Sequence, residues 1–570
     1  MKKESRPSTA YFVARLIAYQ PVRYSIVALG WILFHAWPLL PGLLAKLFFD
    51  TLGGRAVLLG EHITLASIVA LVVAAGLARV AIILVATLSG RINRFSMEAL
   101  LQRNLLARIL ERPGARAIPM SIGEAISTLR DDVDAMALAT DWAFDALAGL
   151  IFAGGGIAIL LSVNVRITLL VFVPIIVVIL LAHAARTRLE HVRVQSRQAT
   201  ARVTGSIGEI FGAVQAIQVA GAEDTVIAHL RRLGDERKRM MLRDQFQGLA
   251  LDAVFANTAS LGSGLTLLVA SSAMRAGNFT IGDFALFATY LMQVAGYTGF
   301  LGYLIRSYRQ AGVAFRRGVA LLQGAPARSL VKHHPVYLRG TLPAPTVPAR
   351  AGNDRLETLE VVGLTLRYPD SGRGIENISF TVRRGSFTVI TGRLGAGKTT
   401  LLRAMLGLLE PQAGEVRWNG QKIAEPASFL VPPRVAYTAQ TPTLLAGTIR
   451  ENILLGLSVD EERLAHAVHS AVLERDLAEL PAGLETVIGT RGVKLSGGQI
   501  QRAAATRMFV REPELLVFDD LSSALDVETE RLLWQRILEQ GKTCLVVTHR
   551  PAVLKQADQV LVLDDGHITR

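Results

Sequence analysis

Apolar residues run in long, nearly unbroken stretches through the first half of the chain and in short bursts through the second. Six stretches reach the roughly 20 residues that a helix needs to cross a bilayer. They cover residues 25–50, 63–88, 143–163, 167–185, 249–274 and 281–305. The gaps between them are uneven: 51–62, 164–166 and 275–280 are short, whereas 89–142 and 186–248 are long and rich in Arg. Basic loops stay on the cytoplasmic side. This places the N-terminus, both long loops and everything after Ile305 in the cytoplasm. The long loops carry helical periodicity of their own, at Leu100, Leu101, Leu105 and Ile109 and at Ile207, Ile210, Phe211, Val214 and Ile217. They are expected to prolong the membrane helices as antiparallel pairs, with tips near 112–121 and 216–225 that dock on a cytoplasmic ATPase. Ahead of the first span, residues 11–20 read as an amphipathic helix on the inner surface, ended by Pro21. No removable signal peptide is expected, because the first long apolar run lacks a small-residue cleavage site.

Past residue 320 the pattern changes. Pro326, Pro335, Pro343, Pro345 and Pro348 fall in a stretch with little periodicity, a linker over 321–355. From Leu356 short β-like runs alternate with helical ones, the pattern of an α/β nucleotide-binding domain. The expected division is a transmembrane domain over 1–320, with six helices and two long cytoplasmic loops, the linker, and an α/β P-loop domain over 356–570.

Composition agrees with a membrane segment fused to a soluble one. Of 570 residues, 51% are hydrophobic and 19% charged, and the mean hydropathy is +0.37. The net charge of +14 would point to nucleic acid in a soluble protein. With six spans it reads instead as Lys and Arg held at the inner face of a membrane, and no nucleic-acid partner is expected. The single cysteine, Cys544, lies in an apolar run and reads as a buried strand residue. Arg79 interrupts the second span. An intramembrane Arg is a functional candidate by default, but at this depth it can also snorkel to the inner headgroups. If it faces a cavity, Asp145 and Asp252 are its candidate partners.

The chemistry is concentrated near the middle of the second half. Gly392, Arg393, Leu394, Gly395, Ala396, Gly397, Lys398, Thr399 and Thr400 follow a strand-like run and open a helix marked by Leu401, Leu402, Met405 and Leu406. Strand, glycine loop and helix N-terminus cradle phosphate through backbone N–H groups and the helix dipole. In this reading Gly392 and Gly397 are glycine because a Cβ would block the approach of phosphate. Lys398 reaches the β- and γ-phosphates, and Thr399 offers its hydroxyl to Mg²⁺. A second apolar strand, 515–518, ends in Asp519 and Asp520. Asp519 suits a contact to Mg²⁺, and Asp520 is placed to polarise the attacking water as a general base. Leu495, Ser496, Gly497, Gly498 and Gln499 open another helix, a second anion-binding N-terminus. One chain does not ordinarily use both phosphate-binding halves on one ATP, which implies a facing copy.

With these motifs in order, the chain resembles the ATP-binding cassette (ABC) transporter family in its exporter-type arrangement. The resemblance implies six transmembrane helices followed by an α/β P-loop cassette, with ATP and Mg²⁺ as cofactors. It assigns 392–400 as the Walker A loop, Leu495–Gln499 as the signature and Asp519 as the end of Walker B. It also implies roles for Tyr368 (stacking on adenine), Gln440 (linking Mg²⁺ to the membrane domain), 523–526 (the D-loop) and His549 (contact to the γ-phosphate). Thr399, Gln440 and Asp519 are thus the expected metal-site residues, and Asp520, His549 and Gln440 the expected catalytic ones. The partner implied is a second half-transporter, identical or not, and the location a bacterial inner or plasma membrane.

Three positions depart from the family pattern. Asp520 stands where Glu is usual, Thr490 stands where a Glu commonly touches the membrane domain, and the C-terminal helices of the cassette are expected to be short. The first points to a slow site within a heterodimer. Two other readings of the whole chain are a membrane-anchored ATP-binding switch without transport and an importer on the same fold. The apolar spans suit lipid exposure and a cavity for drugs, lipids or peptides alike.

Overall fold

The computed structural model describes residues 7–54, 64–111, 118, 120–275, 277–338, 340, 355–369, 371–489, 492–521 and 525–569. Two compact units emerge, Met1–Leu106 with Pro119–Leu338, and Ala107–Ile118 with Arg339–Arg570.

In the first unit α1 (Thr9–Ile17) starts at Ser8, whose hydroxyl accepts from the Tyr11 N–H. It is amphipathic as expected, but its apolar edge meets protein: Phe12, Val13 and Leu16 are buried, and Phe12 stacks on Phe315 with ring centroids 4.7 Å apart. Pro21 opens α2 (Pro21–Ala36), since a missing N–H is harmless at the first helical position. The first span is not one helix. It breaks at Trp37 and Pro38 and resumes as α3 (Leu39–Leu52), because Pro38 and Pro41 would each remove a hydrogen bond from a continuous helix.

The second span and the first part of the loop after it form one 47-residue helix, α4 (Leu65–Glu111). Next come α5 (Ile122–Ser127), opened by a capping box between Ser121 and Glu124, a π turn over Thr128–Asp132, α6 (Val133–Leu138) and α7 (Asp141–Val163). The unit continues with α8 (Val165–Gly212), α9 (Val214–Val219), α10 (Glu223–Arg275) and α11 (Ile281–Leu321). The long loops therefore do prolong the membrane helices. The tip expected near 112–121 lies mostly outside the described residues; the one near 216–225 is α9 and the turn into α10. Among the described residues Pro21–Leu52, Leu65–Glu111 and Phe144–Val163 are long and apolar enough to cross a membrane.

Arg79 finds an aromatic face, with its guanidinium carbon 5.0 Å from the centre of the Phe34 ring. Asp145, one of its expected partners, faces His35 at 3.3 Å instead; the side chain of Asp252 lies outside the described residues. A cation over a ring quadrupole keeps an attractive partner without a second buried charge.

The second unit starts with β1 (Thr358–Arg367), β2 (Gly374–Arg383) and β3 (Phe387–Thr391), then α12 (Lys398–Met405), β4 (Ala413–Trp418), β5 (Gln421–Lys422) and α13 (Pro426–Phe429). It continues through β6 (Val435–Thr438), β7 (Gly447–Thr448), α14 (Ile449–Leu454), α15 (Glu461–Ser470), α16 (Glu474–Glu479), β8 (Val487–Ile488) and α17 (Gly497–Phe509). It ends with β9 (Leu515–Asp519), α18 (Val527–Glu539), β10 (Thr543–Val547), α19 (Pro551–Leu554), β11 (Gln559–Asp564) and β12 (His567–Ile568). The main sheet has the order β12-β11-β3-β10-β9-β6. Its inner strands are parallel, with Val547 beside both Ile390 and Asp519. They read as continuous apolar runs because both faces are covered. An antiparallel sheet, β2-β1-β4-β5, flanks it. The parallel register brings the C-terminal ends of β3, β9 and β10 to one edge, where open α/β sheets hold ligands.

Candidate nucleotide site

The glycine loop leaves β3 at that edge. Gly392 has φ +146° and Gly397 φ +100°, values that L side chains rarely adopt. A Cβ on Gly392 would lie 1.9 Å from the Leu563 carbonyl oxygen, and one on Gly397 3.1 Å from the Gly374 carbonyl oxygen. The nearest obstacles to side chains here are thus the strands packed behind the loop. That adds a packing reason to the sequence-based one, which invoked phosphate alone.

Lys398 is the first residue of α12. Its Nζ donates to the carbonyls of Gly392 (2.8 Å) and Arg393 (2.7 Å), spanning the loop. Burial pulls its pKa below the ordinary lysine value, while the charges of Asp520 and Asp519 work the other way. Leu394 stands out from the loop, 96% exposed. One turn into the helix edge, Thr400 Oγ1 meets the Tyr368 hydroxyl at 3.4 Å.

Asp519 closes β9 and is buried. Its Oδ1 accepts from the Thr399 hydroxyl at 3.0 Å, and its Oδ2 accepts from the Tyr437 hydroxyl at 3.4 Å. Burial raises its pKa above the usual carboxylate value, opposed by the Thr399 hydrogen bond and the nearby charge of Arg403. Burial, reinforced by the charge of Asp519, pushes the Tyr437 phenol up to about 12.

Asp520 follows with φ +55°, and its N–H donates to the Val547 carbonyl at 3.0 Å. Its Oδ2 accepts from Gln440 Nε2 at 3.5 Å. The Thr548 N–H donates to the Ile390 carbonyl at 3.2 Å, which anchors the segment leading to the exposed His549. Lys398, Thr399, Gln440, Asp519 and Asp520 thus converge on one sheet edge.

The residues fit a magnesium–nucleotide. Thr399, Gln440 and Asp519 offer a hydroxyl, an amide oxygen and a carboxylate, all hard oxygen donors of the kind Mg²⁺ takes. Among the described residues no cluster of three or more His, Cys, Asp or Glu could hold a metal unaided. Such a donor set suits an ion that is brought in largely by phosphate oxygens.

The residues around Ser496 form a separate assembly. Ser496 caps α17: its hydroxyl accepts from the Gln499 N–H (3.3 Å) and its own N–H donates to Gln499 Oε1 (2.9 Å). Gln499 Nε2 also donates to Asp476 (3.2 Å), which takes two further bonds from Arg502 at 2.8 and 2.7 Å. Both Asp476 and Arg502 side chains are only 11% exposed. Among the described residues no hydrogen bond or ion pair joins 496–499 to 392–400. Thr490, Ser523 and Ala524 lie outside the described residues; Asp526 caps α18 through the Thr529 N–H.

The motif reading missed Tyr437, Arg403, Asp476 and Arg502. Tyr437 stands three residues before Gln440, but only the pairing of β6 beside β9 brings its hydroxyl to Asp519. Nothing local in the sequence marks Asp476 as the partner of a helix more than 20 residues away.

Residues 375–523 match the family described as ABC transporter, and residues 27–297 match the ABC transporter transmembrane region. An ATP-dependent lipid A-core flippase of Xanthomonas oryzae pv. oryzae is 27% identical over 483 residues, covering 82% of this chain and 78% of the relative. A Bacillus subtilis protein, a probable multidrug resistance ABC transporter ATP-binding/permease protein, is 37% identical over 209 residues, 36% of each chain. The solved structure of a bacterial Atm1-family ABC exporter with ATP bound superposes with a TM-score of 0.71 at 21% identity, over 97% of this chain and 95% of that one. The last likeness is one of fold.

Proposed function

The chain belongs to the ABC transporter family, and on that premise we propose that its own nucleotide site holds ATP more readily than it cleaves it, within a dimer that a second chain completes. The protein is an ATP-driven half-transporter of the exporter type, with its membrane domain and ATPase cassette fused in one polypeptide. In the proposed site Lys398 and the N–H groups of 392–400 bind the phosphates, and Tyr368 stacks on adenine. Thr399, Gln440 and Asp519 hold Mg²⁺, which when bound neutralises charge on the phosphates. Asp520 orients and deprotonates water, and His549 contacts the γ-phosphate. Ser496, Gly497, Gly498 and Gln499 serve the partner chain's nucleotide. The proposed division at residues 320 and 355 separates membrane domain, linker and cassette.

Asp520 is the observation that carries the proposal. Its carboxylate is one methylene shorter than Glu, and Gln440 is within reach of it. A catalytic group displaced by about 1 Å can cost on the order of 100-fold in rate. The slow site fits one half of a heterodimer, with the intact 496–499 loop completing a faster site on the other half. The cargo we propose is a lipid or another amphipathic small molecule, in keeping with the names of the relatives. The proposed location is a bacterial inner membrane with both termini cytoplasmic, from the basic loops.

The purified chain alone should hydrolyse ATP slowly, and a second half-transporter should restore activity. Rapid hydrolysis by the lone chain, abolished by Asp520→Asn, would overturn the heterodimer reading.

A further inference from the structure

Tyr437 is not among the residues that the motifs mark, yet it is the second group to hold the carboxylate of Asp519. Thr399 donates to one oxygen at 3.0 Å and Tyr437 to the other at 3.4 Å. One donor alone leaves a carboxylate free to swing about its Cβ–Cγ bond. Two donors on different oxygens, from α12 on one side and β6 on the other, fix its plane. The direction of the second bond is also set. Arg403 lies beside the same phenol, and a guanidinium can only donate. The phenol oxygen therefore faces a donor, and its single proton is left for Asp519. Tyr437 packs against the buried cluster that includes Ile390 of β3 and Leu401 of α12, and β6 lies in register with β9, Tyr437 beside Val517. The hydroxyl is thus carried on a rigid strand.

We propose that Tyr437 is a positioning residue for the magnesium site: its hydroxyl, backed by Arg403, holds Asp519 in the orientation that receives the metal–nucleotide. The inference rests on the assignment of Asp519 to Mg²⁺. Partners that orient a metal-site ligand are commonly worth 10- to 100-fold in metal affinity or activity. A tyrosine serving only as core would contribute its ring and nothing through its oxygen.

The test uses the full-length chain in lipid nanodiscs and the non-hydrolysable analogue AMP-PNP, and compares its binding in EDTA with its binding in saturating Mg²⁺. The quantity read is the gain in affinity that the metal confers. Tyr437→Phe keeps the ring and is expected to cut that gain by roughly tenfold, with binding in EDTA unchanged. Asp519→Asn should remove the gain altogether. If Asp519→Asn removes it and Tyr437→Phe leaves it intact, the role of Tyr437 is overturned while the site stands. A fall in EDTA and Mg²⁺ binding by the same factor in Tyr437→Phe would likewise overturn it, as the mark of a structural role. If Asp519→Asn keeps the full gain, the assignment of Asp519 to the metal fails, and the inference about Tyr437 falls with it.

Discussion

The hydroxyl of Thr399 donates to Oδ1 of Asp519 across 3.0 Å, so the first turn of α12 and the end of β9 are joined directly. Thr399→Val keeps the shape and loses the hydroxyl. It is expected to lower ATP hydrolysis by on the order of 10- to 100-fold. Thr399→Ser should stay near the parent rate, as steady-state phosphate release would show.

Asp520 combines a short carboxylate with a left-handed backbone, φ +55°. Asp tolerates that conformation better than Glu, because its short polar side chain can bond locally. Asp520→Glu should therefore have two opposed effects. It should raise hydrolysis in the assembled dimer, by up to about 100-fold if reach is the defect. It should also lower thermal stability by roughly 1 kcal/mol from the backbone strain. A slower enzyme would mean that the local geometry has adapted to Asp.

The bidentate pair of Arg502 and Asp476 is nearly buried. Removing one partner of such a pair costs about 3–5 kcal/mol, because a charge is left buried and alone. Asp476→Ala should markedly lower the unfolding temperature of the cassette. It should also raise hydrogen exchange at the start of α17, where Gln499 loses its anchor.

Cys544 is wholly buried in β10, and burial pushes its thiol up to about 12. A free thiol titrates near 8.5, so an exposed cysteine would react faster with maleimide as pH rises from about 7 to 9. The native protein should remain unlabelled across that window and take up one label only after denaturation, as intact mass spectrometry would report.

In the membrane unit a Cβ on Gly42 would lie 2.3 Å from Cε1 of the buried Tyr290, whose hydroxyl donates to the Leu39 carbonyl at 2.6 Å. Gly42→Ala forces α3 and α11 apart and is expected to cost about 1–3 kcal/mol. The check is a lower unfolding temperature in nanodiscs, with nucleotide binding retained.

By itself the sequence determined the architecture and the fuel. Apolar runs long enough to cross a bilayer, and basic loops between them, need no tertiary information, since each depends on contiguous residues. The same holds for 392–400 and 496–499, whose proposed phosphate contacts rest on backbone N–H groups at helix starts. The tertiary structure decided what depends on residues far apart in the chain. It turned the amphipathic α1 onto Phe315 and split the first span at Pro38. It gave Arg79 the ring of Phe34, and it added the Leu563 carbonyl to the reasons for a glycine at 392. Above all it set Tyr437 against Asp519. Parallel pairing of β6 and β9 juxtaposes residues about 80 positions apart, and no periodicity within either strand encodes which hydroxyl will reach which carboxylate.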